Sequence, residues 1–144
     1  MIRRKFGDRP PPPLPWWRVE AVGIGVIAAL GLPMVIDQFF HAMNVFPPTR
    51  ALIVEAGDHV LAFSYRLLAL VFGAFLAARL GPPGVYRTAL GIGIIVLLAN
   101  ALAAVSIRPE GPAWHLIAMA IIALPAAFLG AWGAYVWQRN RRVV

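Results

Sequence analysis

The chain has 144 residues, of which 60% are hydrophobic and 13% are charged, and it contains no cysteine. A soluble domain carries about 25% charged residues because its surface faces water, so this composition excludes an ordinary soluble domain. The absence of cysteine excludes disulfides, thiolate metal sites and a cysteine nucleophile. The basic residues that give a net charge of +7 lie mostly outside the apolar blocks, which indicates contact with anionic lipids and not with nucleic acid.

A basic, proline-rich arm forms residues 1–16. No cleavage pattern of a signal peptide follows it, so we expect the arm to be retained. Its prolines favour the extended polyproline II form, which suits docking on another protein. A stiff spacer that holds two tryptophans at the lipid headgroups is the alternative. The predicted docking residues are Pro10, Pro11, Pro12, Pro13, Pro15, Trp16 and Trp17.

Four apolar blocks follow the arm and are separated by segments rich in proline and glycine. Each block approaches or exceeds the roughly 20 residues that a helix needs to cross a bilayer. The sequence therefore predicts an all-α fold, an integral membrane four-helix bundle. The predicted spans are residues 17–40, 56–80, 88–106 and 114–137, the loops are residues 41–55, 81–87 and 107–113, and a basic tail forms residues 138–144.

Basic residues in the tails, in the loops and at the ends of the spans are divided unequally between the two sides of the membrane. By the positive-inside rule, the richer side predicts a cytoplasmic N-terminus, middle loop and C-terminus, in a bacterial inner membrane. The richer side carries Arg3, Arg4, Lys5, Arg9, Arg18, Arg79, Arg87, Arg139, Arg141 and Arg142, and the other side carries Arg50 and Arg108.

Glycine recurs inside the predicted spans, where small residues let helix backbones approach closely. These glycines are Gly23, Gly25, Gly31, Gly73, Gly91, Gly93, Gly130 and Gly133. Residues 21–27 resemble residues 89–95, and residues 73–75 resemble residues 130–132. The similarity suggests a tandem helical-hairpin repeat.

Polar residues gather toward the outer, periplasmic end of the predicted bundle. Two carboxylates stand four residues before a histidine, a spacing that places each pair on one helix face. Imidazole and carboxylate groups together could bind a divalent metal, although solvation at a helix end is the simpler interpretation. We therefore predict no cofactor, and haem, a pigment and a divalent metal remain open. The cluster comprises Asp37, His41, Glu55, Asp58, His59 and His115.

One special residue from each span falls at nearly the same predicted height: Pro33, Arg66, Asn100 and Pro125. Each proline should leave a helix carbonyl without its donor, at Ala29 and Ile121. Arg66 offers five donors, and its side chain should lean outward toward Asp58. We expect Arg66 to face the bundle and to bond Asn100, a freed carbonyl or an outer carboxylate. It would act as a structural clamp or, alternatively, line an ion pathway.

Several short segments in roughly the last two-thirds of the chain form a further pattern. They are Tyr65-Arg66, Ala77-Ala78-Arg79-Leu80 before Pro82, Gly111-Pro112 before Trp114, and Leu124-Pro125 before Leu129-Gly130. In these segments the chain resembles a group of small four-helix inner-membrane proteins of Gram-negative bacteria that have no assigned activity. The resemblance implies this architecture and no chemistry. His115 and the proline-rich arm depart from the pattern.

Three functions remain open at this stage. No phosphate-binding loop, dinucleotide fingerprint or nucleophile elbow occurs, so the sequence predicts no enzyme. The leading hypothesis is a non-catalytic accessory subunit of a respiratory or photosynthetic membrane complex, with membrane lipids and other integral subunits as partners and no nucleic acid. The second is a small transporter or channel-like protein that uses the polar outer half of the second span. The third is a metal or haem binder at the periplasmic rim.

Overall fold

The computed structural model describes residues 16–46, 56–81, 84–106 and 114–141, in which every regular element is an α-helix. The four-helix bundle predicted from the sequence is confirmed. The helices are α1 (Trp16–Ala42), α2 (Ala56–Leu80), α3 (Val85–Ser106) and α4 (Trp114–Arg141). Helix α2 has the bounds of the second predicted span, whereas α3 begins at Val85 and not at Thr88.

All four helices are long and apolar enough to cross a membrane. They contain 22 to 28 residues, which corresponds to about 33 to 42 Å at 1.5 Å per residue. Buried positions are mostly alanines, while large apolar side chains point outward. This distribution suits a bundle whose outer surface meets lipid, and the chain has the construction of a multi-pass membrane protein.

The two central helices are α2 and α3, which contact each other and both of the remaining helices. Helix α1 packs mainly against α2 and only lightly against α3, and α4 packs against α2 and α3. Within the described residues, α1 and α4 do not touch. The two helical hairpins are therefore not related by a strict twofold axis, because such an axis would make the α1–α4 and α2–α3 contacts equivalent.

Two glycines mark the point where α1 crosses α2. A Cβ atom placed on Gly25 would lie 2.7 Å from the carbonyl oxygen of Gly73 and 2.7 Å from Ala77 Cβ. A Cβ atom on Gly73 would likewise collide with the carbonyl oxygen of Gly25. The backbones approach so closely that only glycine fits at both positions, as in other close helix crossings in membranes.

The turn after α1 is set by Asn44, which adopts a left-handed backbone conformation with φ of 55°. Asn44 N donates to the carbonyl of His41 at 3.1 Å, and Val45 N donates to the carbonyl of Phe40 at 2.9 Å. These two bonds form a Schellman motif, which satisfies carbonyls at the helix end. Phe46 then folds back and is buried against Phe40.

Each end of the bundle has a contact between a tryptophan of α4 and a side chain of α2. At one end, Arg79 near the end of α2 stacks over Trp137 near the end of α4, with 4.1 Å from Cζ to the ring centroid. At the other end, His59 near the start of α2 lies beside Trp114, the first residue of α4. The end with Arg79 and Trp137 is called the Arg79 end. The end with His59 and Trp114, where the turn after α1 also lies, is called the Asp37 end.

Candidate functional site

Asp37 of α1 binds two neighbouring side chains of α2. Its Oδ2 accepts a hydrogen bond from Arg66 Nη2 at 2.9 Å, which is also a salt bridge, and its Oδ1 accepts from the hydroxyl of Tyr65. The side chains of Arg66 and Asp37 are only 33% and 23% exposed. An arginine and a carboxylate in this setting neutralise each other and join α1 to α2.

The observed partner of Arg66 is therefore a carboxylate, which is one of the three kinds of partner expected from the sequence, but it is Asp37 of α1 and not Asp58. Asp58 lies eight residues before Arg66 on the same helix, about 12 Å along the axis. That is beyond the reach of an arginine side chain. Asp37 stands across the helix interface, toward which the side chain can extend.

An aromatic cluster covers the Tyr65 side of this pair. Phe40 packs edge-on against Tyr65 and against Phe46, with ring centroids 5.7 and 5.3 Å apart. Ile36 and Ala62 complete the cluster. Tyr65 is buried among these apolar groups, so its hydroxyl needs a partner, and Asp37 supplies it. Sequence reasoning assigned no role to Tyr65.

A cavity of about 210 Å³ lies on the other side of the pair. It is bounded by α1, α2 and α3, and one residue of α4 closes it. Three of the four residues predicted to share one layer line it, namely Pro33, Arg66 and Asn100. The remaining lining residues are Ala29, Leu30, Met34, Asp37, Leu70, Val96 and Met119.

Pro125, the fourth residue of the predicted layer, does not line this cavity. It is exposed on the outside of the bundle, and so is Ile121, whose carbonyl it should free. Pro33 is buried, and Ala29, whose carbonyl loses its donor to Pro33, lines the cavity. Counting residues along a helix gives the height of a proline but not the face on which it lies.

Asn100 does not bond Arg66. Its amide nitrogen Nδ2 donates to the carbonyl of Val96, one turn earlier in α3, at 2.8 Å. The side chain is half-buried and lines the cavity, and within the described residues its oxygen and its second amide hydrogen make no hydrogen bond.

The predicted cluster of carboxylates and histidines is only partly described. Among the described side chains, which include Asp37, His41, Asp58 and His59, no three metal-binding groups come together. His41 contacts Phe46, and His59 contacts Trp114 across the α2–α4 interface. Glu55 lies outside the described residues. His115 belongs to α4, but the structure does not describe its side chain.

The predicted docking arm is also largely beyond the described residues. Pro10, Pro11, Pro12, Pro13 and Pro15 precede them. Trp16 and Trp17 are the first two residues of α1, without described side chains. The arm therefore leads directly into α1.

Comparison of the chain with protein-family models, with curated proteins and with solved structures finds no match.

Proposed function

We propose that this chain is a non-catalytic accessory subunit of a larger complex in a bacterial inner membrane, of the respiratory or photosynthetic kind. The peripheral position of α1 is the observation that carries the proposal. Only 22% of the most apolar window of α1 is buried within the bundle, against 39% for α2 and α4. This helix has the most surface left for a transmembrane helix of another subunit.

The proline-rich arm also favours α1 as the helix on which a partner docks. It continues directly into α1, so a partner that binds the arm would also be next to α1. An extended proline-rich segment loses little conformational entropy on binding. With both termini cytoplasmic, the arm would meet the cytoplasmic part of that partner. The proposed neighbours are thus another integral subunit and the surrounding lipids.

Site-specific crosslinking tests this proposal. A photoreactive amino acid at Ile27 of α1, which is 73% exposed, should crosslink one defined subunit when the complex is purified in mild detergent. The same group at Leu68 of α2, which is 69% exposed, serves as the matched control and should label lipid only. Deletion of residues 1–13 should weaken the Ile27 crosslink and leave insertion intact. Equal labelling at both positions, or no crosslink from Ile27, would refute docking through α1.

A small transporter is the second candidate, and the cavity beside Arg66 favours it. Such a protein needs a cavity that reaches this arginine, and Arg66 and Asn100 both line one. On its Arg79 side, however, the α1–α2 crossing at Gly25 and Gly73 brings the two backbones together, and Ile92 is fully buried there. The geometry therefore supports a blind site better than a path through the bundle.

A further inference from the structure

The cavity beside Arg66 has an apolar wall and a polar rim. Leu70, Val96 and Met119 supply apolar surface deep in the bundle, and all three are wholly or largely buried. At the Asp37 end, the wall changes to the side chains of Arg66 and Asn100. A space of this kind fits a ligand with an apolar body and a few hydrogen-bonding groups at one edge.

Hydrogen-bond donors remain unused at this rim. Arg66 has five N–H groups, and in the described residues its only hydrogen bond is the one from Nη2 to Asp37. Asn100 uses one amide hydrogen on Val96 and keeps the other. Unpaired donors are unfavourable in an apolar solvent, so a ligand that brings acceptor oxygens would be stabilised here.

The rim carries no net charge, because Asp37 already pairs with Arg66. An anionic headgroup would gain attraction from the guanidinium but would meet the carboxylate at the same place. A neutral carbonyl oxygen accepts a hydrogen bond from Arg66 without that repulsion. The charge balance therefore favours a neutral ligand.

The volume of the cavity and its exposed lining side chains further limit the kinds of ligand that fit. A cavity of about 150 Å³ holds a benzene-sized ring, and this one has about 210 Å³. Two of its lining side chains, Leu30 and Met34, are also exposed on the outer surface of the bundle. The cavity therefore reaches the bundle surface along α1, which packs only lightly against α3.

We propose that this cavity binds the ring of a membrane-dissolved quinone, with a ring carbonyl accepting hydrogen bonds from Arg66 and Asn100. A 1,4-benzoquinone ring without further substituents is flat, neutral and slightly larger than benzene, and an apolar tail on it would leave between α1 and α3 into the bilayer. No redox step by the protein is part of this inference. It stands apart from the accessory role, since ligand binding is measured on the purified chain without a partner.

Binding of 2-decyl-1,4-benzoquinone, whose ring carries only the alkyl tail, to the purified full-length protein in nanodiscs tests the site. The dissociation constant can be measured by native mass spectrometry or by thermal stabilisation with increasing ligand. Met34→Trp places a large ring at the opening and should weaken binding about ten-fold or more. The matched control is Val35→Trp, because Met34 and Val35 are 68% and 69% exposed but only Met34 lines the cavity. Val35→Trp should bind the quinone within about two-fold of the wild type.

A second variant tests the polar rim without touching the clamp. Asn100→Leu removes one donor and should weaken binding about five-fold, the usual effect of one lost hydrogen bond. Two molecules without a ring should compete poorly with the quinone for the cavity. Decanoate carries an anionic carboxylate, and dioctanoylglycerol carries neutral ester carbonyls. The proposal is overturned if 2-decyl-1,4-benzoquinone does not bind, if Met34→Trp and Val35→Trp behave alike, or if either competitor binds as tightly as the quinone.

Discussion

Arg66 and Asp37 lie on different helices and are joined by a hydrogen bond of 2.9 Å that crosses the interface between α1 and α2. Since Tyr65 donates to the same carboxylate, two successive residues of α2 hold one residue of α1. This arrangement fixes both the rotation and the axial register of the first hairpin. It also orients the guanidinium at the rim of the cavity, so the fold and the candidate site depend on one contact.

Breaking this pair should destabilise the bundle. Asp37→Asn leaves the arginine without its counter-ion, and because both side chains are partly exposed we expect a loss of about 1–3 kcal/mol. Arg66→Gln should have a similar effect, and the double variant should lose less than the sum of the two single losses. Unfolding in mixed detergent micelles gives these free energies.

A nearby carboxylate supplies the control for the clamp. Asp58 is in the first turn of α2, where its charge interacts with the helix dipole, so Asp58→Asn should cost less than about 1 kcal/mol. Additive losses for Asp37→Asn and Arg66→Gln would show that the two residues stabilise the bundle independently. A folded Arg66→Leu protein of wild-type stability would favour the pathway hypothesis over the clamp.

The helix crossing at Gly25 should tolerate no larger side chain. Gly25→Ala puts a methyl group 2.7 Å from the carbonyl oxygen of Gly73, and we expect a loss of about 1–3 kcal/mol as the helices move apart. Gly23→Ala, two residues earlier, meets nothing within 4 Å and should be neutral or stabilising by up to about 1 kcal/mol. Thermal unfolding of the two variants in one detergent checks the order, and equal effects would contradict the close approach.

The helices could be predicted from the sequence because an apolar block of sufficient length permits little else in a bilayer. The same reasoning gave the bounds of α2. This reasoning could not separate Gly25, which lies against α2, from Gly23, where an added Cβ atom would meet nothing within 4 Å, since both have the same composition around them. The distinction depends on the rotation of each helix, and the apolar spans carry almost no periodic signal for rotation.

The partner of Arg66 shows the same limit at the candidate site. The sequence predicted Asn100, a freed carbonyl or an outer carboxylate as the partner of Arg66, with the side chain leaning toward Asp58, and the four-residue spacing placed His41 beside Asp37. The bond that forms instead crosses from α1 to α2. A signal was present in Tyr65 and Arg66, two adjacent donors that face a helix with an acidic residue, Asp37, in its last two turns. Pro125 does not line the cavity, because it lies on the outer face of the bundle.

Reporter fusions should establish the orientation of the bundle. Fusions at Asn44 and Pro109 are expected to report the periplasm, because the side they share has few basic residues. Fusions at Pro83 and Val144 are expected to report the cytoplasm. The contact of Arg79 with Trp137 puts the ends of α2 and α4 at one end of the bundle, so the last two fusions must agree with each other. A cytoplasmic signal at Asn44 would reverse the orientation.

The turn after α1 should depend on the residue at position 44. Asn44 is the only described residue other than glycine with a positive φ, and a β-branched side chain is strained in that conformation. Asn44→Val should therefore lower the free energy of unfolding by about 1–2 kcal/mol, whereas Asn44→Gly should be close to neutral. Met43→Val, at an exposed neighbour without positive φ, is the control and should change little.

Asn44→Val should also weaken contacts at the candidate site, because the turn holds Phe46 against Phe40, and Phe40 packs on Tyr65. If the turn is strained, Tyr65 loses part of its cover and its bond to Asp37 weakens. The loss caused by Asn44→Val should then be smaller in a protein that already carries Asp37→Asn, because the two changes act on one contact. Fully additive losses in detergent unfolding would show that the turn and the clamp are independent.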